Sequence, residues 1–198
     1  MTRPLVILFA RAPRLGTVKR RLARGIGDRA ALRFHCATLA ATARPIARDR
    51  RWRTVLATTP RGARADWARF VPRGVVRIDQ VRGDLGARMA ACLRRAPRAV
   101  LAGSDIPDLR PADIAAAFRA LGRADAVFGP ATDGGYWLVG LGPRRPGRPF
   151  AAVRWSSEHA LADTLANFRG RRVALLRRLQ DVDTVGDLAR VTRRRRRP

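Results

Sequence analysis

The chain has 198 residues, 46% of them hydrophobic, which is enough for one globular domain with a substantial core and no disulfide or metal staple. Lys plus Arg number 42 against 15 Asp plus Glu, for a formal net charge of +27. The arginines are spread along the whole chain and aromatics make up only 6%, which argues against a dedicated nucleic-acid face with base-stacking side chains.

Leu5 to Ala10 reads as a first strand, and its apolar run is too short for a signal h-region or a membrane span. After it comes the basic, Pro/Gly-punctuated turn Arg11-Ala12-Pro13-Arg14-Leu15-Gly16-Thr17-Val18-Lys19-Arg20-Arg21-Leu22. Lys19 is the only lysine in the chain. A flexible ammonium in a strand-turn-helix connection is the geometry in which α/β proteins hold a phosphate, so a nucleotide site is the first expectation. Asp28 to Ala47 follows as a helix with Leu32, Cys36, Leu39 and Ala43 at helical spacing. His35 lies beside that stripe, and His159 lies in a later helix; neither has a metal-spaced partner. Cys36 and Cys92 match no zinc or redox spacing, so free thiols in a cytoplasmic protein are expected.

Thr54 to Thr58 and Val75 to Ile78 read as two further strands, separated by a short helix around Ala65 to Phe70. Leu85 to Arg95 is helical, Ala99 to Ala102 is a buried strand, and Pro111 opens a helix to about Leu121. Ala126 to Gly129 and Tyr136 to Leu141 are strands with too short a link for a helical crossover, so an antiparallel element enters an otherwise parallel sheet. Gly142 to Pro149 reads as a mobile flap, Ser156 to Phe168 as a helix, Val173 to Leu176 as a strand and Thr184 to Val191 as a closing helix. The expected architecture is three-layer α/β/α with a mixed, mostly parallel central sheet, one domain over residues 1–192 and a disordered arginine tail over 193–198.

Two acidic segments fall at strand ends. In Gly103-Ser104-Asp105-Ile106-Pro107, Asp105 lies just past a strand, where open α/β sheets collect ligands. Asp108 and Asp113 are better placed to cap the helix at Pro111, which leaves Asp105 for a ligand. Asp181-Val182-Asp183-Thr184 falls where the last strand gives way to the closing helix, and Asp183 or Thr184 also suits an N-cap. Two carboxylates can hold Mg²⁺ or Mn²⁺ against a diphosphate, because such ions take one or two protein carboxylates and complete their shell with phosphate and water.

These blocks resemble the DUF2064 group of bacterial glycosyltransferase-like proteins in the nucleotide-diphospho-sugar transferase (GT-A) superfamily, some of whose members are labelled arsenosugar-biosynthesis glycosyltransferases. The resemblance also runs through Gln80, Gly83-Asp84-Leu85-Gly86-Ala87-Arg88-Met89, Asp133-Gly134-Gly135-Tyr136-Trp137 and Trp155-Ser156-Ser157. It implies that Arg11, Gly16 and Lys19 meet phosphates, that Ser104 lies in the nucleotide site, and that Gln80, Gly83, Leu85 and Gly86 read the nucleobase. It also implies that Asp105 and Asp183 hold the metal and that Asp133, Gly134, Gly135, Tyr136 and Trp155 face the sugar or acceptor. Members usually carry Lys where Arg11 stands, Pro for Leu15, Thr for Arg20 and Pro for Val185.

The function so implied is metal-dependent transfer of a sugar from a nucleotide-diphospho-sugar to a small-molecule acceptor, with Lys19 and Asp133 as catalytic residues. Asp133 is the candidate base, although Asp-Gly-Gly between two strands is equally a hairpin signal. The rival is nucleotidyl transfer from a nucleoside triphosphate, because Gly16 to Leu22 also resembles the turn of guanylyltransferases acting on phospho-acids. A third reading is a nonenzymatic basic protein that binds nucleic acid through its arginine tail. No specific nucleic acid and no membrane is expected as a partner, and the oligomeric state is open.

Overall fold

The computed structural model describes residues 3–195. Its centre is a seven-stranded sheet built from β1 (Leu5–Arg11), β2 (Arg53–Thr59), β3 (Val76–Asp79), β4 (Ala99–Gly103), β5 (Ala126–Pro130), β6 (Tyr136–Leu141) and β7 (Val173–Leu175). The spatial order is β3-β2-β1-β4-β6-β5-β7. β1 pairs in parallel with β2 and β4, β2 with β3, and β5 with β7, whereas β6 runs antiparallel to both β4 and β5. The short link Ala131 to Gly135 produces that reversal, as its length requires.

Period-two alternation sorts the central strands onto two faces. Val6, Leu8, Ala10, Val100 and Ala102 point to one side, where they pack with Leu39, Ile46, Ile114 and Ala117. These partners lie on helices α2 (Asp28–Arg48) and α4 (Pro111–Ala120). Leu5, Ile7, Ala99, Leu101 and Phe128 point to the other side and meet Met89, Leu93 and Phe168. That layer contains α3 (Leu85–Leu93) and α5 (Ala160–Ala166). Both faces are thus covered, which is why the inner strands read as continuous apolar runs.

Several elements differ from the sequence reading. An extra helix, α1 (Arg20–Ile26), follows the basic turn and packs on α2 and on α6 (Val185–Arg195). The buried stripe of α2 is Ala31, His35, Thr38, Leu39, Thr42, Ala43 and Ile46, with Leu32 and Cys36 on its shoulders. The helix expected from Ser156 begins only at Ala160, because Ser156 adopts φ 61 and the Leu161 amide is drawn to the Gly134 carbonyl. The segment Gly142 to Pro149 is no flap over the site. Arg145 donates to the carbonyls of Leu93, Ala96 and Pro97, and Arg144 binds Asp125, which fastens the loop at the far end of α3. Helix α6 takes in Arg193 to Arg195, and 196–198 of the expected tail lie outside the described residues. Among the described residues no helix is long and apolar enough to cross a membrane.

Candidate functional site

All parallel strands of the sheet end at one edge, and β6 begins there, so the loops after β1, β4 and β5 converge on it. The turn after β1 is shaped by its own side chains. The Arg11 guanidinium donates to the Thr17 carbonyl at 3.1 Å, and the Thr17 hydroxyl donates to the Arg14 carbonyl. Gly16 at φ 72 lets the turn reverse. Lys19 itself is left-handed, with φ 46 and ψ 47, an uncommon conformation for a residue with a long side chain.

That backbone aims the lysine inward. Its Nζ donates to Asp105 Oδ2 at 2.8 Å and to Asp183 Oδ1 at 2.9 Å, while only 6% of its side chain remains exposed. The ammonium loses solvent, and the two carboxylates outweigh that loss, so its pKa rises above the ordinary lysine range. Asp105 likewise loses solvent, yet the adjacent ammonium holds its carboxyl below the usual range. The two aspartates that the sequence assigned to a metal, and the lysine assigned to phosphate, are therefore one ion triad. Among the described residues no group of three His, Cys, Asp or Glu converges as a metal site.

The second carboxylate is positioned by a small apolar cluster in which Val182 and Leu22 are fully buried against Val191. The start of α6 adds a reciprocal box: Asp187 accepts from the Thr184 amide and hydroxyl and from the Asp183 amide, while Thr184 Oγ1 accepts the Asp187 amide. Burial opposes the Asp187 charge, but these hydrogen bonds and Arg190 outweigh it and pull its pKa down to about 2. Asp187→Ala is expected to cost roughly 1–2 kcal/mol. Because the pKa is lowered on folding, that contribution is full above the unfolded value near 4 and fades as pH falls through about 2. Melting curves of variant and parent should therefore differ most at pH 5 and above and converge on acidification.

A cleft of about 430 Å³ runs along the strand ends. One half is walled by Phe9, Thr59, Gln80, Leu85 and Arg88, and the other by Asp133, Gly135, Tyr136 and Trp155, with Ser104, Asp105 and Asp181 between them. A second hollow of about 280 Å³ holds the basic turn, with Thr17, Lys19, Arg20 and Arg21 facing Asp183. The two join at Arg11, His35 and Asp105, which line both.

The structure redistributes several expected roles. Gln80 is buried, its amide donating to the Ala57 carbonyl at 2.8 Å and accepting from Arg88, so it orients Arg88 and has little left for a nucleobase. Arg88 also lies 6.0 Å from the Phe9 ring and lines the cleft beside it. Gly86 is required by packing: a Cβ there would lie 2.9 Å from both Phe150 and Trp155. Gly83, at φ 122, turns the chain ahead of the Asp84 cap on α3 and lines neither hollow. Leu85, Ser104, Asp105, Asp133, Gly135, Tyr136 and Trp155 do line the cleft, whereas Gly134 lies beneath it against the Glu158 backbone. Asp133 Oδ1 accepts the Gly135 amide at 2.9 Å, so the aspartate shapes its turn as well as facing the cleft. Tyr136 stacks edge-on against Phe128 and Trp155, and burial raises its pKa, which keeps the hydroxyl neutral.

Three residues at the site were not assigned from sequence. His35 is buried, its Nε2–H donating to the Arg11 carbonyl at 3.0 Å, and burial pushes its pKa down. Arg88 is the second. Asp181 is the third; burial, and then the charges of Asp183 and Asp133, raise its pKa to about 6 against the pull of Lys19. Its place two residues before Asp183 in an extended segment was the available signal, since i and i+2 share a face.

A family model for DUF2064, described as uncharacterised proteins conserved in bacteria, matches residues 42–157. A provisionally named nucleotide-diphospho-sugar transferase from Desulfovibrio desulfuricans G20 superposes with a TM-score of 0.90 at 29% identity, over 100% of this chain and 89% of that one. A protein from Mycobacterium sp. strain JC1, homologous to Mycobacterium tuberculosis Rv0371c, gives 0.60 at 18% identity over 97% and 96% of the two chains. The 2-C-methyl-D-erythritol 4-phosphate cytidylyltransferase of Thermus thermophilus gives 0.50 at 16% identity over 99% and 100%. At these identities the last two show the fold alone. No curated protein matches the chain.

Proposed function

Since this chain belongs to the DUF2064 family of bacterial proteins, we propose that it is a transferase acting on a nucleotide-activated sugar, with a small-molecule acceptor. The observation that carries this reading is the placement of Lys19, Asp105 and Asp183 between a basic turn and an aromatic-walled cleft. The turn provides the cations that a diphosphate needs, and the cleft provides ring faces suited to a base and a sugar.

The two carboxylates fit a divalent cation. One oxygen of each meets the ammonium, and both side chains remain more than 40% exposed, so phosphate and water could complete the shell of an ion held there. A bound Mg²⁺ or Mn²⁺ would supply Lewis-acid stabilisation of the departing diphosphate. Arg11, Lys19, Arg20 and Arg21 neutralise the same leaving group from the turn. On the other side of Asp105, the acceptor hydroxyl attacks the anomeric carbon as the bond from that carbon to the diphosphate oxygen breaks. Asp133, facing the cleft, takes the hydroxyl proton if the configuration inverts.

Nucleotidyl transfer is the second reading, favoured by the form of the Gly16 to Leu22 turn. In that reaction a phosphorylated acceptor attacks the α-phosphate of a nucleoside triphosphate and pyrophosphate leaves. Product analysis decides between them. Nucleoside diphosphate released from a nucleotide sugar supports the proposal, and pyrophosphate released from a triphosphate replaces it with the second reading.

A further inference from the structure

Among the basic groups of the site, Lys19 is the one bonded to both Asp105 and Asp183. Asp105 and Asp183 each direct an oxygen to the same point, and the Lys19 ammonium already occupies it at 2.8 and 2.9 Å. Asp181 and Asp133 line the cleft together with Asp105. A divalent ion approaching this pair meets an ammonium in the position it requires, and two cations cannot share the same two oxygens at these distances. Lys19 is nearly buried, so its head cannot turn to open water without losing both bonds. The hollow that it lines with Asp105 and Asp183 is also lined by Thr17, Arg20 and Arg21. Phosphate oxygens held by Arg11, Arg20 and Arg21 in that hollow would give the ammonium a replacement partner. Lys19 holds a left-handed backbone, φ 46 and ψ 47, which is strained for a residue with a long side chain.

We infer that Lys19 is a built-in counter-ion that keeps the Asp105/Asp183 pair closed to divalent metal until a nucleotide phosphate draws the ammonium into the basic turn. Metal and nucleotide therefore bind as a cooperative pair, and neither binds tightly alone. This rests on the nucleotide reading above. By linkage, the factor by which nucleotide tightens metal equals the factor by which metal tightens nucleotide. Removing the ammonium frees the carboxylates, so a lysine-free variant takes up metal without nucleotide.

The test is Mn²⁺ binding followed by electron paramagnetic resonance, with Mn²⁺ alone and with a mixture of UDP, GDP, CDP and ADP, at salt high enough to screen the excess positive charge. In the parent, the nucleotides should raise Mn²⁺ affinity by about tenfold or more, and in Lys19→Met, Mn²⁺ alone should bind about tenfold tighter than it does to the parent alone, with little further gain from nucleotide. If Lys19→Met fails to fold, Lys19→Gln serves the same arm. The parent arm stands independently of either variant: equal Mn²⁺ affinity with and without nucleotide overturns the inference. Unchanged Mn²⁺ affinity in a folded lysine variant also overturns it. If nucleotide binds the parent but independently of metal, the counter-ion inference fails and the nucleotide reading survives; if neither binds, both fail.

Discussion

Asp105→Asn should abolish metal-dependent nucleotide binding, with a loss of about 100-fold or more, while leaving a folded protein. Asparagine preserves the shape at the end of β4 but removes a charge from the triad. Lys19 then keeps only Asp183, and the point of convergence loses one of its two anionic oxygens. The partner charge left behind is nearly buried, so a stability cost of about 1–3 kcal/mol is expected alongside the binding loss. Titration calorimetry with nucleotide and Mn²⁺, with a melting curve on the same sample, separates the two effects. A folded Asp105→Asn protein that binds nucleotide and metal as the parent does would remove Asp105 from the site.

Gly134→Ala should be among the most destabilising single substitutions in the chain, although it adds only a methyl group. Gly134 sits at φ +85, and a Cβ there would lie 2.1 Å from the Glu158 carbonyl oxygen and 2.5 Å from its carbonyl carbon. Both contacts are with backbone, so no rotamer change can relieve them. The Gly134 carbonyl also accepts the Leu161 amide and so anchors the start of α5. Any shift that makes room for the methyl group disturbs the segment carrying Trp155 to Ser157. A cost of about 3 kcal/mol or more is expected, equivalent to a fall in Tm of roughly 6–12 °C for a chain of this size. Gly62→Ala, where nothing lies within 4 Å of the added Cβ, is a suitable comparison at another positive φ of +67. It isolates the backbone conformational cost from the clash, and a similar loss in both variants would show that the Glu158 contact contributes little.

The fold is largely legible because the sheet is buried on both faces. The stretch Leu5 to Ala10 and the strand Ala99–Gly103 are unbroken apolar runs, and the five-residue link before Tyr136 forces the antiparallel entry of β6. Helix α1 escapes the pattern because its seven residues carry four charges or glycines among few apolar positions and show no clear period. The delayed start of α5 depends on a hydrogen bond to Gly134, which no local pattern announces.

Within the site, sequence locates the contributing residues better than their partners. Asp105, Asp183 and Lys19 each fall at a strand-end loop, but three segments separated by 86 and 164 positions do not reveal that their charged atoms meet. Gln80, which lines the cleft, shows a related limit. Its polarity suggests ligand contact, whereas the buried Ala57 carbonyl and the Arg88 guanidinium consume its hydrogen-bonding groups. Gly83 and Gly86 show the same limit: their small size answers to chain reversal and to the neighbouring Phe150 and Trp155, which only the folded chain brings close.

A nucleotide-dependent transferase is tested most directly by calorimetric titration of the intact protein with a panel of nucleotide sugars and nucleoside triphosphates, with and without Mg²⁺ or Mn²⁺. The salt must be high enough to suppress attraction to a chain of net charge +27. Saturable, metal-enhanced binding of at least one nucleotide sugar, lost in Asp105→Asn, is the expected result. Absence of saturable binding by every nucleotide under those conditions would contradict the assignment of this cleft to such an enzyme.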